Sequence, residues 1–362
     1  MKLRIGIIGC GGIATGKHLL ALKDLGDLCE VTAFCDGFAE RATAAAQTYG
    51  TKDARVYTDY HELLADPNVD VAYVLTPNIS HSTIAVDAFH AGKHVMCEKP
   101  MAVNTVEAQK MMDAWKASGK HFSIGYQNRF RADVQHLYKS CRSGDLGEIY
   151  YAKAYAVRRR GVPTWGSFIQ GSQQGGGPLI DIGTHSLDLA LWLMDNYEVE
   201  SVTGTVFHKL GRLPEAMDGN MWGDWDTGKY DVEDAAVGYI RMKNGALLTL
   251  ESSWALNTLD VREAEVTLCG TKAGADLRNQ SQVVYNRGTH GRLMEETFTP
   301  GSEPWDFFGA RNDAPYLEAK EWLTSIIEDR DSIVKPEQAF VVTQILDAIY
   351  ESARKNETVW FD

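Results

Sequence analysis

Near residue 125 the rhythm of apolar and polar positions in this 362-residue chain changes. Before that point, short apolar runs alternate with segments of helical periodicity. The runs are Leu3–Ile8, Glu30–Cys35, Arg55–Tyr57, Val69–Leu75, His94–Cys97 and Phe122–Gly125, and the helical segments lie near Ile13–Leu25, Glu40–Tyr49, Tyr60–Ala65, His81–Ala91 and Val106–Ser118. Gly26, Gly50, Gly92 and Gly119 stand where those helices should stop, as glycines past a helix C-terminus do. Strand–helix alternation of this kind predicts right-handed crossovers and a buried parallel sheet, an α/β architecture.

Beyond residue 125 the pattern differs. Asp133–Ser143 reads as a helix closed by Gly144. Long stretches then alternate polar and apolar residues: Glu148–Arg158, Val199–Lys209, Ala235–Met242, Ala246–Ala255 and Glu263–Leu268. Such alternation predicts a large open, mostly antiparallel sheet with one covered face. A helical pattern, Ile182–Met194, interrupts it, and two late helices, Ala314–Glu328 and Glu337–Lys355, are expected to pack back across the domains. Leu210–Tyr230 is a long loop rich in Gly, Asp and Trp, a length typical of a lid, a binding loop or an oligomer contact. The change of pattern divides the chain into residues 1–125 and 126–362, each long enough for its own core.

Composition narrows the function. A formal net charge of −13 argues against a nucleic-acid or anionic-membrane partner. The six cysteines, at 10, 29, 35, 97, 141 and 269, form no CxxC pair and read as reduced thiols in a cytoplasmic protein. No stretch has the length of a membrane span, and no zinc ribbon is supported.

The first chemical motif is Ile7-Ile8-Gly9-Cys10-Gly11-Gly12-Ile13-Ala14, which follows a strand and opens a helix. Gly9 allows a tight turn, Gly11 lets backbone approach a pyrophosphate, and the small Ala14 permits close helix–strand packing. The amides of Gly11, Gly12 and Ile13 then face the phosphates at the positive end of the helix dipole. Asp36 ends the second strand, near the offset at which a carboxylate meets the adenosine ribose hydroxyls. It would repel a 2′-phosphate, so NAD is favoured over NADP. Arg41 either stacks on adenine or is a solvent-facing helix charge. Thr76-Pro77-Asn78, with His81 after it, ends the fourth strand, where ligands lie in parallel sheets; Thr76 and Asn78 could alternatively cap the next helix. Arg129, after the sixth strand, reaches towards the nicotinamide or substrate, or bridges the domains.

The second motif is Glu98-Lys99-Pro100 at the end of the fifth strand. Lys99 can aim its ammonium at a substrate oxygen and stabilise a developing alkoxide, or it is a surface lysine on a turn. The third is Gly175-Gly176-Gly177-Pro178-Leu179-Ile180-Asp181-Ile182-Gly183-Thr184-His185. A helix starting at Asp181 would put Asp181 and His185 on one side, one turn apart. His185 suits a general base, while Asp181 would orient it, bind a second hydroxyl, or serve as the helix N-cap. The triple glycine permits close approach of a ligand or a flexible turn. Asp188 makes a metal conceivable, but the set lacks ligands and none is expected. Arg158-Arg159-Arg160 ends a long strand and leads to Trp165; Arg158 donors and the Trp165 face suit a polyhydroxylated ring, the bland alternative being a solvated strand end.

With Gly9–Ala14, Cys97–Pro100 and Asp181–His185 in this order, the chain resembles the glucose–fructose oxidoreductase / inositol dehydrogenase / MocA family over essentially its whole length. The resemblance implies a Rossmann dinucleotide-binding domain followed by an α/β domain whose sheet packs in homodimers or homotetramers. It implies that Lys99, Asp181 and His185 form the polar catalytic group. Arg158–Gly166, Gly175–Leu187, Gly223–Asp226 and Val232–Asp234 look like the bacterial glucoside 3-dehydrogenase branch. The expected activity is hydride transfer between a hydroxyl of a sugar, glucoside or cyclitol and NAD, with the proton taken by His185. An inositol dehydrogenase is the near alternative. An NAD-dependent glycosidase with transient oxidation, or a non-catalytic dinucleotide sensor, are alternatives of another class.

Overall fold

The computed structural model describes residues 2–301 and 313–361. These fall into two compact units. The first comprises residues 2–130 and 313–340, and the second 131–301 and 341–361.

The first unit is built on six parallel strands, β1 (Leu3–Ile8), β2 (Cys29–Cys35), β3 (Arg55–Tyr57), β4 (Val71–Val74), β5 (His94–Cys97) and β6 (Phe122–Ile124). Their order is β3-β2-β1-β4-β5-β6. Chain order reverses direction between β1 and β4, the switch point where open parallel sheets hold their ligands. β4 is buried at every position, as expected of a strand covered on both faces. The helix Ala314–Ile327 completes this core by inserting Ala319, Trp322, Leu323 and Ile326 among Leu19, Leu22, Tyr73 and Met96.

The second unit holds a nine-stranded sheet. Its strands are β7 (Ile149–Val157), β8 (Val199–Phe207), β9 (Ala235–Met242), β10 (Leu247–Ser253), β11 (Arg262–Gly270), β12 (Gly274–Arg278), β13 (Gln282–Thr289), β14 (Arg292–Phe298) and β15 (Val359–Trp360). In the order β14-β13-β12-β11-β7-β10-β9-β8-β15 the edge strands among the described residues are β14 and β15, and β7 and β10 pair in parallel. The helices Ala132–Arg142 and Thr184–Met194 pack on one face. The facing glycines Gly204 and Gly238 let Ile349 of the helix Pro336–Lys355 approach the same sheet closely. β12 to β15 had no counterpart in the sequence pattern. In β14 the positions from Arg292 to Thr297 are all exposed, so nothing alternates.

Two helices carry a π-helical turn: Ala14–His18, running on into Leu19–Lys23, and Leu179–Gly183, running on into Thr184–Met194. Both lie on the segments singled out for their chemistry. Such bulges re-aim side chains relative to a regular helix.

Candidate active site

In the first unit the candidate cofactor residues line the C-terminal ends of the parallel strands. Gly9 follows β1 with φ +94° and its amide bonded to Cys35 O at 2.8 Å. A Cβ there would lie 2.5 Å from Leu75 O, so only glycine fits. A Cβ on Gly11 or Gly12 would meet nothing within 4 Å, so open space stands over the first amides of the helix. Asp36 accepts from Cys10 N at 2.8 Å and Phe38 N at 2.9 Å, tying the acidic residue to the cradle. The carboxylate keeps further lone pairs for a ribose. This donor set fits a dinucleotide: amides for the pyrophosphate and an anchored carboxylate for the adenosine ribose. Arg41 is exposed, with its guanidinium 4.5 Å from the Phe38 ring centroid. Ile13 is also exposed.

After β4, Ser80 Oγ donates to Thr76 Oγ1 and Pro77 O, at 2.7 and 2.8 Å. Asn78 opens a 3-10 turn ahead of the helix His81–His90, which has no side-chain cap. His81 is fully buried, its ring nitrogens 2.8 Å from Pro100 O and 2.9 Å from Thr76 O. It joins two loops from beneath rather than facing outward. Arg129 is likewise fully buried, donating to Ile333 O and Gln338 Oε1 at 3.1 and 2.6 Å. Both histidine and arginine are scaffold here, a correction to their reading as cofactor contacts.

Glu98 is also buried, at the centre of a network that the sequence did not reveal. Its Oε1 accepts from Lys17 Nζ at 2.7 Å and pairs with His18 Nε2 at 2.8 Å. Its Oε2 accepts from the Lys99 amide at 3.0 Å. Burial pushes the Glu98 carboxyl up, but the Lys17 charge and the His18 bond hold it well below the usual range. Lys17 bonds Glu318 at 3.0 Å as well. Burial pushes Glu318 up to about 7, Lys17 pulling it down and Glu98 pushing it further up. Because the π-turn Ala14–His18 buries the consecutive Lys17 and His18, the cradle helix is bonded to the carboxylate that fixes Lys99. Lys99 itself is half-buried and precedes a cis Pro100.

In the second unit, Asp181 lies within the π-turn rather than at a helix N-cap, with its amide bonded to Gly177 O at 3.0 Å. From Gly176 to Leu193 every residue is buried except Asp181 and His185, both half-buried. The spacing of four therefore does place them together on the accessible stripe of an otherwise enclosed helix. Trp254 Nε1 donates to Asp181 Oδ2 at 3.2 Å. Two of the three glycines meet a packing requirement, while Gly175 is exposed in the left-handed region at φ +80°. A Cβ on Gly176 would lie 2.0 Å from the Tyr350 hydroxyl, and one on Gly177 2.5 Å from Glu233 O. Buried Glu233 accepts from Gly177 N, Leu179 N and Tyr350 OH at 2.9 to 3.0 Å, pinning the turn that carries Asp181.

Arg158 donates through Nε and Nη2 to Glu263 and lies 5.2 Å from the Trp222 ring centroid. Burial works against its charge, but Glu263 and then Asp181 hold its pKa up. Trp165 is half exposed and packs edge-on against Trp222, centroids 4.9 Å apart. The loop Leu210–Tyr230 is anchored, with Ala216, Trp225 and Tyr230 in the core beneath Trp254. Its start is held by Asp234, which accepts from Lys209, Leu210 and Gly211 amides. Lys17, His18 and Trp254 escaped the sequence pattern, and Glu233 entered it only within the stretch Val232–Asp234. The one available signal was the polar pair Lys17-His18 abutting the apolar Leu19–Leu22. Among the described residues, no group of three or more His, Cys, Asp and Glu is placed to hold a metal, and no helix is long and apolar enough to cross a membrane.

Comparison with known proteins places both parts of the chain in one family. Residues 3–126 match the model described as "Oxidoreductase family, NAD-binding Rossmann fold", and residues 139–361 its companion, "Oxidoreductase family, C-terminal alpha/beta domain". D-glucoside 3-dehydrogenase of Escherichia coli K12 is 36% identical, covering 99% of this chain and 97% of its own. Myo-inositol 2-dehydrogenase of Thermotoga maritima is 30% identical over 87% of this chain and 85% of its own. Among solved structures, levoglucosan dehydrogenase in complex with NADH and levoglucosan superposes with a TM-score of 0.86 at 24% identity, covering 99% of each chain. That last likeness speaks to the fold.

Proposed function

The chain belongs to the Gfo/Idh/MocA oxidoreductase family, with an NAD-binding Rossmann domain, and from that premise we propose that it oxidises a ring hydroxyl of a glucoside, at C3, with NAD as hydride acceptor. The observation that carries the reading is the Asp181–His185 stripe, the accessible part of a helix buried everywhere else between Gly176 and Leu193. The likeness to D-glucoside 3-dehydrogenase over nearly the full length supports the substrate class.

Bound NAD supplies the hydride acceptor. The amides of Gly11, Gly12 and Ile13 would hold its pyrophosphate over the tight turn at Gly9, and Asp36 its ribose. In this reading His185 takes the hydroxyl proton as general base. Lys99, its backbone fixed by Glu98, stabilises the alkoxide as charge develops on oxygen. Asp181, held by Trp254, orients His185 or a neighbouring hydroxyl. Arg158 and Trp165 offer donors and an apolar face to the ring. His185→Ala should lower kcat by roughly 10²–10⁴-fold while NADH binding, followed by fluorescence, is unchanged. Full activity in that variant refutes the role of His185.

Self-association is part of this reading. The uncovered sheet face carries exposed Phe207, Val237 and Tyr239, an apolar fraction that suits an interface between copies. Sedimentation should give a dimer or tetramer at micromolar concentration, and a monomer would contradict it. A cytoplasmic location rests on six free thiols.

A further inference from the structure

The second unit opens a cavity of about 750 Å³ lined by Arg158 and, beyond it, by residues to which the catalytic reading gives no role. Its walls come from the end of β7, the start of β11, the β12–β13 turn and residues 218–221. A β-bulge interrupts β11 between Glu263 and Glu265, with Ala264 at φ +52°. Residues on both sides of the bulge line the cavity. At the rim, Asn279 and Gln280 are consecutive left-handed residues, φ +54° and +51°, and both line the cavity. The volume lies within the range of small-molecule sites.

The chemistry of the walls selects the ligand. Arg158 is paired with Glu263 and Arg262 with Glu265, and Arg159, Arg160 and Asp218 bring the lining to four positive and three negative groups, close to balance. Carboxylates and guanidinium groups paired this way keep further lone pairs and N–H groups. Asn279, Gln280, Asp218 and Arg159 add donors and acceptors, while exposed Met221 and Val261 add apolar contact. A wall that both donates and accepts, interrupted by apolar patches, matches hydroxyls alternating with C–H groups. Arg158 N donates to Ser253 O at 2.9 Å, and the next residue, Trp254, holds Asp181, which brings the cavity wall to the strand end that holds the acid of the catalytic stripe.

We propose that this cavity is a subsite for a second, uncharged sugar ring, so that the preferred substrate is a disaccharide or comparable glycoside oxidised on one ring while the other is held here. The inference rests on the glucoside reading above. Its test compares kcat/KM for cellobiose and maltose with the methyl β- and α-glucosides, in the wild type, Arg159→Ala and Asp218→Ala. Both side chains are exposed, so neither truncation removes a packed group. The better disaccharide should lead its methyl glucoside by at least about tenfold, and both variants should abolish that lead without altering methyl glucoside kinetics. No lead, a lead that both variants retain, or a preference for anionic cellobionate overturns the subsite. If none of the sugars reduces NAD, the glucoside reading itself fails. Calorimetric titration of the same sugars then decides the cavity: about tenfold tighter disaccharide binding that both variants lose upholds it, and equal binding overturns it.

Discussion

Asp36 provides a sharp test of the cofactor site, because the structure shows it cannot turn away from a ligand. Its two oxygens are held by Cys10 N and Phe38 N at 2.8 and 2.9 Å. A 2′-phosphate would therefore meet a fixed negative charge. Two unit charges about 4 Å apart at an effective dielectric near 20 repel by about 4 kcal/mol. That is on the order of 10³-fold in affinity; solvent exposure and salt reduce it, so the measurement belongs at low ionic strength. Asp36→Asn removes the charge yet leaves a side-chain oxygen for one of the two amides. Fluorescence titration should show the wild type binding NADH at least about 100-fold more tightly than NADPH. In Asp36→Asn the two should come within about tenfold, with NADH itself weakened by the loss of charge-assisted bonds. Raising the salt should narrow the wild-type gap and leave the variant unmoved. A variant that keeps the full preference, or a wild type that prefers NADPH, would refute the assignment of Asp36.

Other consequences follow from the buried groups. Glu318 has a folded pKa of about 7, above the ordinary 4.5, so the native state holds the extra proton between those values and stability falls as pH rises through that window. The difference amounts to about 3 kcal/mol in order of magnitude; Glu318→Gln should flatten the decline in urea melts between pH 5 and 8, and an unchanged slope would contradict it. Glu98→Leu, which strands Lys17 without its main partner, should cost about 3–5 kcal/mol and lower activity through Lys99, both read by denaturation and initial rates. Gly176→Ala forces a methyl against the Tyr350 hydroxyl and should cost about 1–3 kcal/mol. Gly288→Ala, with nothing within 4 Å, should be close to neutral.

The parts of the fold that bury one face or both were legible from the chain. The parallel strands from Leu3 to Ile124 and the helix through Met194 follow directly from apolar periodicity. β13 and β14 did not, because a hairpin exposed along most of its length has no alternation to read. At the candidate site, spacing and residue type mark Gly9, Asp36, Asp181 and His185, and Lys99 stands out through its strand end and the family resemblance. Their supports are not marked in this way. Lys17, His18 and Glu318 meet Glu98 from distant parts of the sequence. The same is true of Glu233 and Tyr350 at the triple glycine. A buried acid and its partner leave no local periodicity, so only the folded chain reveals which amides and cations they hold. His81 and Arg129 show the converse: polar residues at ligand-proximal strand ends turned inward to satisfy buried carbonyls.

Reduction of NAD at the expense of a sugar ring hydroxyl is measured directly by incubating the protein with NAD across a panel of glucosides and inositols, following reduced nicotinamide and the products together. One reduced nicotinamide should appear per oxidised ring, fastest with a glucoside and with the ketone at C3. Release of aglycone without net reduction, or no turnover of any panel member by protein shown to bind NAD, would contradict that expectation.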